Sequence, residues 1–401
     1  MNLVEKHIIN PSHPLYSECD RVCFQSKNIF NKSLYEIRKA YEEDGRYLNF
    51  INLYHHMKQF EVYDYLPKKV FSWTLRGVSQ AYDSYFALLK KKKEGKYDKD
   101  VNIPFYKHKT KGRYVTIYPK QALNKRKFAK SSLIKLSQTN IEIKTKIKNY
   151  DDILEVKISP KAHCYVIVVV YRINDVNMVP DNGRYLSIDL GLNNLFTIGS
   201  NVQGLQPVII NGKPLKAINQ YYNKNVADLK SKLDEKQYTS KAIKKITLKR
   251  NNRVSDYMHK ATRKIVNYAK DNNISKVIIG YNKEWKTELN HGKRGNQNFI
   301  SIPHRTGVDM LKYKLLQHGI ELIEHEESYT SKCSFLDLEP VKKHEKYLGT
   351  RIKRGMFKSS SGRKINADVN GALNIMRKVI PNVFNNGIEG IAVHPKLLLV
   401  A

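Results

Sequence analysis

Apolar positions in the first quarter of the chain recur at helical spacing. Phe71, Leu75, Val78, Tyr82, Tyr85 and Leu89 follow at steps of four and three, and so do Phe30, Leu34, Ile37 and Tyr41. Such stripes predict amphipathic helices whose apolar faces pack on one another. Pro67 suits a first helical turn, and Gly45 marks the end of the earlier helix. From about residue 100 the texture turns to strands. IEIKTKIK (141–148) alternates strictly and YVIVVVYRI (165–173) is β-branched and nearly continuous, while an extended IPF and the loop KHKTKGR (107–113) precede the strand YVTIY. RYLSIDLGLNNLFTIGS (184–200) then reads as strand, tight turn, strand. After a Lys/Arg-rich helical stretch (about 215–272) come the strand KVIIG (276–280), a helix from near Pro303 and the strand IELIEHEE (320–327). A polar, lysine-rich excursion follows, and then a closing helix, ADVNGALNIMRKV (367–379). A hairpin followed by βαβ pieces predicts an α/β core with a mixed sheet covered on its faces.

The 401 residues suffice for two or three domains, and 41% hydrophobic content suffices for real cores. The pattern predicts no membrane span and no secretory signal, and four scattered cysteines predict no disulfide framework. The expectation is a soluble protein of a reducing compartment. Charge narrows the partner. Lys and Arg total 71 against 37 Asp and Glu, a formal +34. A compact fold at such charge calls for a polyanion. A coding bias toward Lys, Asn, Ile and Tyr explains abundant lysine but not the shortage of acids. Nucleic acid is therefore favoured over an anionic membrane surface, for which no basic amphipathic anchor is visible. Basic and aromatic residues interleaved on a sheet suit a surface that tracks a backbone and stacks bases. Lys107, Lys109 and Arg113 of the loop, with Arg76 of the helix, are the candidate contacts. The pair Trp73 and Trp285 is expected to pack, Cys19 and Cys23 to be buried thiols, and His55 and His56 to be solvated.

Three carboxylates do not fit a plain core. Asp189 interrupts an apolar strand, and a lone buried carboxylate needs a cation or strong donors. Amide-bonded strand end and metal ligand are both open readings. Asp368 opens the last helix, where a cap is the simple reading, yet Asn366, Asn370 and Asn374 cluster with it. Glu327 ends its strand; if that strand runs parallel and close to the one bearing Asp189, the two acids can meet. Glu326 should face the other way. Three such acids would repel without divalent metal, and oxygen-rich sites suit Mg²⁺ or Mn²⁺. Two such ions about 4 Å apart can activate a water and stabilise the leaving oxygen of a phosphodiester.

SIDLGLNNLFT, KVIIGYNKEWK with NQNFISIP, EESYTSKCSFLD and NADVNGALNI resemble the RuvC-type, RNase H-like nuclease core of transposon-encoded TnpB (OrfB-type) proteins, relatives of type V CRISPR effectors. The resemblance extends to the N-terminal part and to the tail FNNGIEGIAVHP. It implies a first wedge strand (1–13), a helical recognition module (14–98), a β-rich wedge domain (99–180), a nuclease core (181–380) and a tail (381–401). Within the core it implies a basic helical insertion at 214–272 and a degenerate zinc-ribbon loop at 331–365. The implied activity is RNA-guided DNA cleavage at one site, with a guide RNA transcribed from the element and double-stranded target DNA bearing a short flanking motif. Asp189 matches the first catalytic aspartate and Asp368 the last. Two departures stand out. The family's middle glutamate ends the strand that here reads KVIIGYN, without a carboxylate; Glu327 is the expected replacement and Glu284 the alternative. The family's four zinc-ribbon cysteines are reduced to Cys333, so no structural zinc is expected, and the loop is expected to form a basic, mobile lid. A repressor that binds without cutting and a strand-transferring transposase are the competing functions.

Overall fold

The computed structural model describes residues 1–174, 176–234, 237–282 and 301–400. Glu284 and Trp285 lie outside the described residues. The chain forms two compact units, Met1–Asp175 and Val176–Ala401.

The first unit opens with β1 (Asn2–Ile9), followed by α1 (Tyr16–Asp44), α2 (Phe50–Met57) and α3 (Lys68–Lys93). The helices begin and end where local chemistry dictates. Asn49 accepts from the N–H groups of Ile51 and Asn52 to cap α2, and Gly45 takes the left-handed conformation that ends α1. Phe30, Leu34, Ile37, Phe71, Leu75, Val78 and Tyr82 are buried; Tyr41, last in its stripe, is exposed. Trp73, expected to pack, lies half-buried on the surface of α3 beside Arg76. β2 (Thr116–Pro119), α4 (Lys125–Ser131), β3 (Leu133–Lys135), β4 (Glu142–Lys144), β5 (Ile153–Pro160) and β6 (Tyr165–Arg172) complete the unit. The antiparallel sheet runs β1-β6-β5-β2, with β3-β4 as a separate pair. The alternating IEIKTKIK keeps only three residues in a strand. Beyond them Glu5 accepts from the Thr145 hydroxyl and the Lys146 N–H, which draws the chain off its partner.

The second unit contains β7 (Tyr185–Leu190), β8 (Asn194–Ser200), β9 (Val208–Asn211), α5 (Lys213–Ser231), α6 (Lys241–Asp271) and β10 (Lys276–Gly280). It continues with α7 (His304–Leu316), β11 (Glu321–His325), β12 (Thr350–Lys353), β13 (Met356–Lys358), β14 (Lys364–Asn366), α8 (Ala367–Val379) and β15 (Lys396–Leu397). Among the described residues a mixed sheet runs β11-β10-β7-β8-β9-β15, in which only β8 is antiparallel to the rest. Period-two alternation divides its faces. Leu186, Ile188, Val277 and Ile279 pack with Met258, Ile265 and Leu311 of α6 and α7, whereas Ile278 packs with Leu373 and Ile375 of α8.

Two expectations are corrected here. The stretch 214–272 is not an appended insertion throughout: Val254, Met258, Ala261, Ile265 and Ala269 make the second half of α6 a core layer. The stretch 331–365 is built rather than a loose lid. Its strands β12-β13-β14 form a small antiparallel sheet, and Phe335, Phe357 and Ile365 are buried in the core under α8. Buried Glu339 accepts from the N–H groups of Ser334 (2.7 Å) and Leu348 (2.9 Å), tying the start of the segment to its middle. Among the described residues, no helix is long and apolar enough to cross a membrane.

Candidate functional site

Asp189 is the fifth residue of β7, on the face that α8 covers. Packing a helix there requires small residues. A β-carbon at Gly371 of α8 would stand 3.2 Å from Asp189 Oδ2, so the glycine lets the helix lie against the carboxyl. Protein atoms ring that carboxyl, although the residue keeps an accessible edge. Burial lifts its pKa well above the ordinary range; the charges of Glu327 and Asp368 add to the rise, against a hydrogen bond from the Leu190 N–H and the charge of Arg351.

Glu327 reaches Asp189 by a route different from the one expected. β7 and β11 are both parallel to β10 but are not neighbours, because β10 lies between them. The strand also stops at His325, two residues early, and the Glu327 N–H is held by the Asn282 side chain at 3.1 Å. Contact across β10 depends on Gly280, one residue beyond the Ile188–Ile279 pair and hence level with Asp189. A β-carbon at Gly280 would lie 2.6 Å from Glu327 Oε2 and 2.6 Å from Ile375 Cδ1. The carboxyl of Glu327 fills the place that a side chain at 280 would take. Its Oε2 is buried with no hydrogen-bond partner. Burial pushes its pKa up to about 7, against the nearby Lys378 ammonium.

Asp368 lies in the first turn of α8, which Asn366 caps by accepting from the Asp368 and Val369 N–H groups. Its Oδ2 accepts from Asn194 Nδ2 at 2.6 Å, and Arg351 of β12 approaches its Oδ1 to 3.8 Å. Asp368 is thus compensated by protein groups, whereas among the described residues Asp189 and Glu327 have no side-chain hydrogen-bond donor. Among the described residues, no three His, Cys, Asp or Glu side chains gather tightly enough to enclose an ion by themselves. Like charges without a counter-ion stand off, and Asp368 leans toward Asn194 and Arg351. The partnerless Oε2 of Glu327 and the crowded carboxyl of Asp189, which has a backbone donor in the Leu190 N–H, fit a hard divalent cation by donor type. Asn370 and Asn374, fully buried, fix the segment after Glu327: Asn370 donates to Cys333 O (2.9 Å), and Asn374 donates to Thr330 O (2.9 Å) and Cys333 O (2.7 Å). Asn194 and Arg351 escaped sequence reading; the signal for Asn194 was a second asparagine in a tight turn, LNNL, beside the first aspartate.

Gly280→Ala should act more on this geometry than on stability. The two closest atoms met are side-chain ends, with Glu327 Cβ next at 3.1 Å, so the folding cost is about 1–3 kcal/mol. Displacing the Glu327 carboxyl by about 1 Å should lower any activity of the site about 10²-fold. Thermal melts beside a cleavage assay check this, and equal small effects on both would refute it.

In the first unit the loop 107–113 is pinned by its backbone. Asn31 exchanges two hydrogen bonds with Lys107, and Lys27 Nζ donates to Lys109 O. The Lys107 and Lys109 side chains stay exposed, as does Arg76, whose guanidinium lies over Phe50 and Trp73. Arg113 departs from expectation. Its Nε and Nη2 bind both oxygens of Asp20 (2.8 and 2.7 Å) and its Nη1 binds Thr110 O and Gly112 O, leaving little to offer a phosphate. His56 is likewise not simply solvated, since it pairs with buried Glu36 at 2.8 Å. Hydrogen bonding to Arg113, and to Tyr165, holds the Asp20 carboxyl below its usual range against desolvation. A carboxylate so depressed stabilises the fold above its unfolded pKa and loses that contribution as pH falls through the folded value. Asp20→Asn should therefore cost about 1–2 kcal/mol at neutral pH and nothing in acid, read by urea melts at both. An equal loss at both pH values would assign the effect to packing.

The second unit is an α/β layer with an acidic centre, set in a strongly basic chain. Residues 168–286 match the OrfB_IS605 family, described as "Probable transposase", and residues 304–375 match the family "Cas12f1-like, TNB domain". The TnpB-like protein ORF457 of Acidianus two-tailed virus is 24% identical over 411 residues, covering 91% of this chain and 84% of the relative. These matches make the chain similar to TnpB-type proteins and, over residues 304–375, to a domain of type V effectors. Solved structures similar to it include Cas12f1 in a complex with sgRNA and target DNA (16% identity, 93% of this chain and 98% of that one, TM-score 0.38). Another is the mini RNA-guided endonuclease CRISPR-Cas_phi3 (11% identity, 99% and 94%, TM-score 0.46).

Proposed function

We propose that this chain is an RNA-guided, metal-dependent DNA endonuclease of a transposable element. The observation that carries the reading is the approach of the Glu327 carboxyl over Gly280 toward Asp189, whose pKa its charge helps to raise, in a chain of net charge +34. The order β9-β8-β7-β10-β11 with only β8 reversed supports an RNase H-like core. Asp189, Glu327 and Asp368 would hold Mg²⁺ or Mn²⁺, which when bound supplies the charge that activates water and stabilises a leaving phosphodiester oxygen. The chain's own residues do the rest. Asn194 orients Asp368, Asn370 and Asn374 fix the turn that carries Glu327, and Arg351 brings positive charge beside Asp368. Exposed lysines such as Lys107 and Lys109 hold backbone phosphates. The partners are a guide RNA from the element and double-stranded DNA with a flanking motif, in line with the RNA and DNA named for the relatives.

The test is to sequence the RNA that copurifies with the chain, then offer matching DNA with Mg²⁺. Guide-directed cleavage is expected. Binding of matched DNA that persists in excess Mg²⁺ without a nick would instead favour a repressor, a reading motivated by the missing carboxylate at Gly280, Tyr281 and Asn282. Joined rather than cut ends would favour a transposase.

A further inference from the structure

The C-terminal segment does more than cover an edge. β15 adds to β9 in parallel, with the Lys396 N–H on Pro207 O (3.0 Å) and the Leu398 N–H on Ile209 O (2.8 Å). The backbone is thereby fixed, and one side of it faces a cavity of about 400 Å³, within the range of small-molecule sites. Across that cavity stand the β13-β14 hairpin and the start of β8.

Two residues of its wall are those that hold Asp368. Asn194 donates to the Asp368 carboxylate, and Asn366 caps the helix on which Asp368 sits. The cavity therefore shares Asn194 and Asn366 with the immediate surroundings of Asp368. Its charged side chains are of one sign: Lys364 and Lys396 line it with His394, and among the described residues no acidic side chain does. Leu397, 53% exposed, and Met356 add apolar surface between the cations. Cations flanking apolar surface suit a nucleotide, whose phosphates need charge while its base or sugar needs a non-polar face. Bulk counter-ions alone would leave the apolar part unexplained.

We infer that β15 forms one wall of a subsite for the nucleotide next to the scissile phosphate of an unpaired polynucleotide strand, with Lys364 and Lys396 gripping its backbone. The inference rests on the nuclease reading for the word scissile, but the binding itself does not.

The experiment uses the full chain carrying Asp189→Asn, so that nothing turns over, and a fluorescein-labelled single-stranded deoxyoligonucleotide. Lys364→Ala with Lys396→Ala should weaken its affinity about tenfold and lower the salt slope by about 1.4, the share of two phosphate contacts. Lys364→Arg with Lys396→Arg should restore both. As a second readout, the four native cysteines are buried, so Leu397→Cys introduces an accessible thiol. An oligonucleotide with a pyridyl-disulfide tether should cross-link there faster than at Tyr238→Cys, another exposed position. Unchanged affinity and slope in the double alanine variant, or equal cross-linking at the two positions, would overturn the wall. Lysine-dependent binding in a chain that never cleaves DNA would keep the wall and remove the nuclease. Cleavage with lysine-independent binding would do the reverse.

Discussion

Changing Asp189 to asparagine is expected to lower guide-directed cleavage on the order of 10³-fold while leaving copurified RNA in place. The size follows from the chemistry. Metal ions at such a site contribute several kcal/mol to the transition state, and each 1.36 kcal/mol is tenfold in rate. Asparagine keeps the shape of Asp189 and its bond with Leu190, but it gives up the charge that a divalent ion needs. The native carboxyl is crowded, has no side-chain donor among the described residues and feels the charges of two other acids. Removing its charge should therefore also raise the metal-free melting temperature, a gain in stability coupled to a loss of function. Asp189→Ala should lose the same activity but, by leaving a void, gain less stability. If Asp189→Asn cleaves at the native rate, the acidic centre is structural and the endonuclease reading falls.

Asp189 was legible because a carboxylate inside an apolar strand violates the local pattern, and Asp368 because polar residues crowded the start of an apolar helix. The α/β character was legible in the change from helical to alternating period. The route from Glu327 to Asp189 was not. Sequence gives the direction of strands more readily than their order, so the intervening β10 stayed hidden. The meaning of Gly280 appears only when its missing side chain is seen to be filled by another strand's carboxyl. Arg113 read as a phosphate ligand because its partner Asp20 is 93 residues away. The second half of α6 read as an insertion because it continues a Lys/Arg-rich helical stretch, although its own apolar residues Met258, Ala261, Ile265, Val266 and Ala269 pack in the core. The segment after Cys333 read as a lid for a related reason. Its order comes from single buried anchors, Phe357, Ile365 and Glu339, rather than from a periodic stripe.

Glu327→Gln should separate the metal-free protein from the loaded one. The native carboxyl titrates at about 7, raised by burial, whereas in the unfolded chain a glutamate titrates near 4.3, roughly the model-peptide value. Between those values the folded state holds a proton that the unfolded state lacks. Metal-free stability must therefore fall as pH rises through this window and level off above it. Asp189, raised in the same direction, adds a decline of the same sign, so Glu327→Gln should flatten the slope rather than erase it. A divalent ion reverses the balance, since it takes the unprotonated form and stabilises only the folded state. Native protein should gain more melting temperature from Mg²⁺ at pH 8 than at pH 6, and its cleavage should rise with pH across about 7. The glutamine variant should melt higher than native protein without metal at pH 8, gain little from Mg²⁺, and lose cleavage about as severely as Asp189→Asn. Cleavage at the native rate, or an undiminished response to Mg²⁺, would remove Glu327 from the site and make Glu284 the third carboxylate to test.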